Sequence, residues 1–247
     1  MLVLCEYAGN VGHCGHYHNS WYFSDVKINS IQIEAASLSS VVDFYHHLLG
    51  LPCVADAGNA YVSIGDATLI FSENPTANGI HHFAFNIPCN QIREGMAWLE
   101  RLGIVLIAND KGHTRIDFPD WNAEAAYFFD AAGNIVELIA RRDLMNESSQ
   151  PFGPSSLLEI SEIGIVADDV LAWSASAAER WGILPFEKQK PSADFSALGT
   201  DLGLFIVVPE GRKWFLTDLP ATKTSLVARF ENNKGEMFAY NSRDSLG

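Results

Sequence analysis

Tyr127-Phe128-Phe129-Asp130-Ala131-Ala132-Gly133-Asn134-Ile135-Val136-Glu137-Leu138-Ile139 is the stretch on which the reading of this chain turns. Two apolar runs flank a turn rich in Asp, Gly and Asn, a pattern that predicts two strands joined tightly. In the second run Ile135, Glu137 and Ile139 share one face, and Val136 and Leu138 share the other. A carboxylate among apolar neighbours is costly to bury. Glu137 therefore needs a metal ion, a cationic partner, a proton or water. Upstream, His81-His82-Phe83-Ala84-Phe85 is a second apolar strand. It offers His82 as a companion ligand, with His81 directed to the opposite face.

Outward from these strands a unit recurs. Residues 28–34 form a strand, Ser37 or Ser39 can cap a helix, and Val41, Phe44, Tyr45, Leu48 and Leu49 give that helix one apolar face. Gly50 ends it, and strands follow at 60–64 and 67–71. The second copy has a strand at 80–86, a helix carrying Ile92, Met96 and Leu99, a stop at Gly103, and strands at 104–107, 114–118, 125–129 and 135–140. The third has a strand at 157–166, a helix carrying Val170, Trp173, Ala177 and Trp181, a stop at Gly182, and strands at 195–198 and 203–208. A last strand is expected at 224–230. The class is α+β, built on a βαβββ module used three times with a fragment of a fourth.

The expected organisation is a flexible leader over residues 1–26, a paired βαβββ domain over 27–142, a linker over 143–156 and a third module over 157–247. The linker is polar and carries Pro151, Gly153 and Pro154. The leader holds Gly12-His13-Cys14-Gly15-His16-Tyr17-His18, a composition that can bind metal in isolation. With 48% apolar and 19% charged residues over 247 positions, the chain can bury a sizeable core. A formal charge of −14 argues against nucleic acid and against anionic membranes. No apolar run is long enough to span a bilayer and no export signal is visible, so a cytoplasmic location is expected. Four scattered cysteines make no CxxC pair and no disulfide ladder.

Phe44-Tyr45-x-x-Leu48-Leu49-Gly50-Leu51-Pro52, His82-x-Ala84-Phe85 and Phe129-Asp130-x-x-Gly133-Asn134-x-x-Glu137-Leu138 together resemble the vicinal oxygen chelate superfamily. That superfamily includes glyoxalases, bleomycin-resistance proteins and extradiol dioxygenases. The resemblance covers residues 27–142 and, more weakly, 157–208. It implies βαβββ modules paired into a half-open barrel around a cavity, often with a divalent metal held by first and last strands. His82 and Glu137 match two such positions. Ser30 and Leu69 stand at the equivalents in the first module, and neither is a primary ligand. In the third module Glu162 falls where His82 does, but the last strand is apolar.

The expected metal is zinc, iron, manganese or nickel, which suit nitrogen and oxygen donors. Gln32, on the same strand face as Ser30, is the candidate third ligand, with Glu34 an alternative. Glu137 can also serve as a general base, because burial raises a carboxylate pKa. Arg115 and Trp121 are candidate substrate contacts, the first for a carboxylate and the second for a flat ring. The resemblance implies a lyase, isomerase or dioxygenase acting on a small oxygenated molecule. The alternative is a bleomycin-resistance-like binding protein without catalysis. A hydrogen-bonded His82–Glu137 pair in a metal-free pocket is the corresponding structural reading. An unpaired third module suggests a homodimer.

Overall fold

The computed structural model describes residues 26–244. The leader with its His-Cys-Gly tract thus falls outside the described residues, apart from Val26. The first module runs β1 (Lys27–Ala35), α1 (Leu38–Val42), β2 (Cys53–Ala55), β3 (Asn59–Ile64) and β4 (Ala67–Glu73). The second runs β5 (His82–Ile87), α2 (Ile92–Arg101), β6 (Leu106–Ile107), β7 (Ile116–Phe118), β8 (Ala123–Phe129) and β9 (Ile135–Arg141). The third has β10 (Glu159–Ala167), α3 (Val170–Trp181), β11 (Ser196–Thr200) and β12 (Gly203–Pro209). Two more strands, β13 (Leu226–Glu231) and β14 (Met237–Asn241), form the partial fourth unit.

Local chemistry accounts for the helices. Ser37 caps α1 through the Ser40 N–H, and Asp169 caps α3 through the Ala172 N–H. Gly182 closes α3 at φ +69°, a left-handed conformation that glycine adopts without a Cβ penalty. The first helix differs from a uniform α-helix. Over Asp43–Leu48 it widens into π-turns, with the Leu49 N–H bonded to the Phe44 carbonyl. Val41, Tyr45 and Leu49 remain on the buried side.

In each module the first strand pairs in parallel with the last: β1 with β4, β5 with β9, β10 with β12. Modules join through antiparallel first strands. The expected join was between the first and second modules. Instead β5 pairs with β10, and β1 pairs with β13. A single register contact, Ile28 with Ile160, links β1 to β10 and closes the described strands into one mixed sheet. The second and third modules therefore face each other, and the first is completed by the fourth unit. The module whose solitude suggested a dimer has its partner within the chain. In the third module the first strand after the helix is reduced to a bridge, Pro185 with Leu198.

The Asp130 turn shows what its motif does. The buried Asp130 carboxylate accepts from the Ala132 and Asn134 N–H groups (2.9 and 2.8 Å), the Asn134 amide (2.9 Å) and the Tyr45 hydroxyl (2.8 Å). Asn134 in turn accepts the His81 N–H at 3.0 Å. The turn thus fixes β9 against β5 and the first helix, and sets the register that places Glu137. No helix among the described residues is long and apolar enough to cross a membrane.

Candidate metal centre

All six residues of β5 are buried, so His82 reaches the interior from a strand with no exposed edge. Its Nδ1 lies 3.3 Å from the Ile135 carbonyl. A carbonyl can only accept, so that bond puts the proton on Nδ1 and, in the neutral ring, leaves the Nε2 lone pair free. Nε2 lies 3.6 Å from Glu137 Oε2 and 3.6 Å from Glu162 Oε2. One donor atom from each of the three residues lies within 4.8 Å of the other two, and all three side chains are buried. At 3.6 Å the ring nitrogen is hydrogen-bonded to neither carboxylate.

That spacing fits a shared cation. Bonds of about 2.1 Å in a tetrahedral shell put ligand atoms roughly 3.4 Å apart. Charge points the same way. Glu137 and Glu162 are buried carboxylates, and among the described residues the one buried cation against them is Arg141, which is shared with Asp201. Burial pushes the Glu137 carboxyl well above the usual carboxylate range, and the charge of Glu162 adds to the effect; the Tyr127 hydroxyl bonded to it and Arg141 act in the other direction. Burial, with the Glu137 charge second, likewise holds the Tyr127 phenol far above its ordinary value. An imidazole nitrogen and two carboxylate oxygens suit zinc, iron, manganese or nickel.

The centre opens onto a cavity of about 180 Å³. Its walls are largely apolar and aromatic: Phe118, Trp121, Phe195, Trp214, Phe215 and Ile206 among them, with Gln189 and Arg212 as polar members. The register explains the bare side. His82 precedes by two residues Ala84, which pairs with Glu137. Glu162 precedes by two residues Gly164, which pairs with Ile206. Ile206 therefore occupies in the third module the place of Glu137 in the second.

Of the residues singled out from sequence, His82, Glu137 and Trp121 meet at this cavity. Gln32 does not. Its amide donates to Ser72 Oγ at 2.9 Å, because β1 lies against β4 and β13 rather than against β5. Glu34 is engaged with Asn74 and Arg243. Arg115 is paired with Glu124 and is not among the residues lining the cavity. The candidate ligand not singled out from sequence is Glu162. Its alignment with His82 was the available signal. The loop carrying Trp214 and Phe215 also lines the cavity, and its lack of strand or helix period leaves no sequence signal for that.

No family model matches the sequence, and no curated protein matches it. Among solved structures, the chain is similar to a protein assigned as a dioxygenase from Bacillus subtilis, at 12% identity over 90% of this chain and 87% of that one, with a TM-score of 0.55. It is also similar to a mutant of glyoxalase I from Zea mays, at 11% identity over 87% of this chain and 92% of that one, TM-score 0.53. Identities this low show a shared fold. The fold is the one seen in these dioxygenase and glyoxalase I structures.

Proposed function

We propose that this chain is a divalent-metal-dependent enzyme acting on a small oxygenated organic molecule, by lyase, isomerase or dioxygenase chemistry. One observation carries the reading: His82, Glu137 and Glu162 converge, buried and without hydrogen bonds between imidazole and carboxylates, on the wall of an apolar cavity. These three residues would hold the metal. When bound, it supplies Lewis acidity to a pair of substrate oxygens. Three protein ligands with a bare fourth side are the arrangement of a catalytic rather than a structural site.

The chain's own groups supply the rest. Trp121, Phe195 and Phe215 offer flat walls that orient an apolar body and exclude water. Burial favours the protonated Glu137 carboxyl in the metal-free cavity, and a bound cation would favour its ionised, ligating form. The reading extends to a cytoplasmic protein.

The test is metal analysis of untagged protein, full length and beginning at Asp25 so that the leader histidines are absent. Near-stoichiometric metal in both, lost in His82→Ala, Glu137→Ala and Glu162→Gln, supports the enzyme. Absence of metal from the shorter protein even after incubation with zinc, manganese, nickel or ferrous iron sinks it. The second reading then stands: a metal-free binding cavity. The Arg141–Glu162 and Tyr127–Glu137 contacts, which give each carboxylate a partner, favour that reading.

A further inference from the structure

Arg141 is the last residue of β9 and shares a strand face with Glu137 and Ile139. Its side chain is fully buried. One guanidinium nitrogen, Nη2, donates to Glu162 Oε1. The other, Nη1, donates to Asp201 Oδ1 at 3.2 Å. The guanidinium carbon sits 5.4 Å from the centre of the Trp121 ring. Asp201 is itself held: Lys188 Nζ lies 2.6 Å from Oδ2, and Asn86 on β5 donates to its backbone carbonyl at 2.9 Å. Lys188 also reaches Asp143 at 2.7 Å. The fork is clamped at both prongs and on one face.

We infer that Arg141 is a positioning residue of the metal centre, locking Glu162 so that Oε1 is engaged and Oε2 alone is offered beside His82 Nε2. The inference rests on the metal-dependent reading. Glu162 Oε1 is the oxygen Arg141 takes, and Oε2 is the one 3.6 Å from His82. A planar fork can hold two carboxylates at once in fixed directions; an ammonium on a flexible stem cannot. Stability alone is a weak reason for such a pair, because apolar replacements of buried ion pairs are often as stable or more so. Outer partners of metal ligands commonly act this way, fixing the ligand's orientation. An arginine that only neutralised Glu162 would compete with the cation instead, and removing it would tighten binding.

The experiment uses the full chain and Co(II) as probe, read by calorimetry and visible absorption. Glu162→Gln on the same chain defines the part of the binding that belongs to this centre and not to the leader. Arg141→Met is expected to weaken that Glu162-dependent binding by about tenfold or more and to alter the absorption band. Arg141→Lys should recover part of the affinity. Asp201→Asn, which frees one prong and keeps the arginine, should weaken it by a smaller factor. Unchanged or tighter Co(II) binding in Arg141→Met overturns the inference while leaving the metal reading intact. Where circular dichroism shows Arg141→Met unfolded, Asp201→Asn decides in the same terms. Wild-type protein without a Glu162-dependent Co(II) site overturns the metal reading itself, and this inference with it.

Discussion

His82 Nε2 and Glu162 Oε2 lie 3.6 Å apart across the antiparallel pair β5–β10, although the two residues belong to different modules. The register pairs Ala84 with Glu162 and Phe83 with Ile163, and slips by one residue between Ile160 and Glu162. That slip is a bulge, a device that re-aims a side chain. The pairing of β5 with β10, rather than with β1, makes Glu162 and not Gln32 the third candidate donor of the centre. Glu162→Gln is therefore expected to cost at least about tenfold in metal affinity, while Gln32→Ala and Arg115→Ala leave it unchanged. Equal losses in Gln32→Ala and Glu162→Gln, by calorimetric titration, would refute this assignment.

The physical reason Glu162 was hard to see is general. Strand and helix positions follow from local periodicity, and the modules were legible for that reason. The Asp130 turn is legible too, since Asp130 accepts from nearby backbone N–H groups and Gly133 supplies the positive φ. Which first strand lies beside which is not local. β1 alternates buried residues with half-buried polar ones and β10 is almost wholly buried, but neither pattern names β5 as the neighbour. With β1 beside β5, Ser30 and Leu69 would stand across the cavity and Gln32 would be the candidate donor. β14 was likewise not expected. Its pattern of one buried and four partly or fully exposed residues carries little apolar period.

Gly164 and Trp214 make a second pair whose chemistry is testable. A Cβ on Gly164 would lie 2.6 Å from Trp214 Cη2 and 3.2 Å from the His82 carbonyl oxygen. The indole also stands 5.7 Å from the His82 ring and forms part of the cavity wall. Gly164→Ala is expected to destabilise the fold by about 1–3 kcal/mol through overpacking. In a Trp214→Leu background the same change should cost clearly less. Urea denaturation of the four proteins of this cycle measures the difference. Strict additivity would mean that Trp214 is not what the added methyl meets.

His81, immediately before β5, sets a pH dependence. It is buried, with Nδ1 3.3 Å from Thr224 Oγ1, and burial lowers its pKa from 6.5 to about 4. The folded ring stays neutral where the unfolded one takes a proton. Between about pH 6.5 and 4 the unfolded state binds more protons, so stability rises with pH there. The contribution is fully present above pH 6.5 and is lost as pH falls through the window, reaching roughly 3 kcal/mol by pH 4. His81→Gln should flatten the slope of unfolding free energy against pH over that window relative to the parent. A variant with the parent's slope would remove His81 as its source.

Ile206 offers the most direct probe of the modular logic. It stands in the third module where Glu137 stands in the second, is nearly fully buried, and lines the cavity. Ile206→His places a neutral nitrogen donor on the bare side of the centre. Without metal, a buried ring nitrogen lacks a partner, and the variant should be less stable than the parent by about 1–3 kcal/mol. With metal, that nitrogen becomes a ligand. Zinc affinity should then rise by about tenfold or more, equivalent to about 1.4 kcal/mol. The zinc-induced rise in melting temperature should exceed the parent's, because ligand binding to the folded state stabilises in proportion to its affinity. Any turnover should fall, since the open position is then occupied by protein. An Ile206→His protein that is destabilised and stays so with zinc would show that Ile206 does not face the metal. The open side would then lie elsewhere in the cavity.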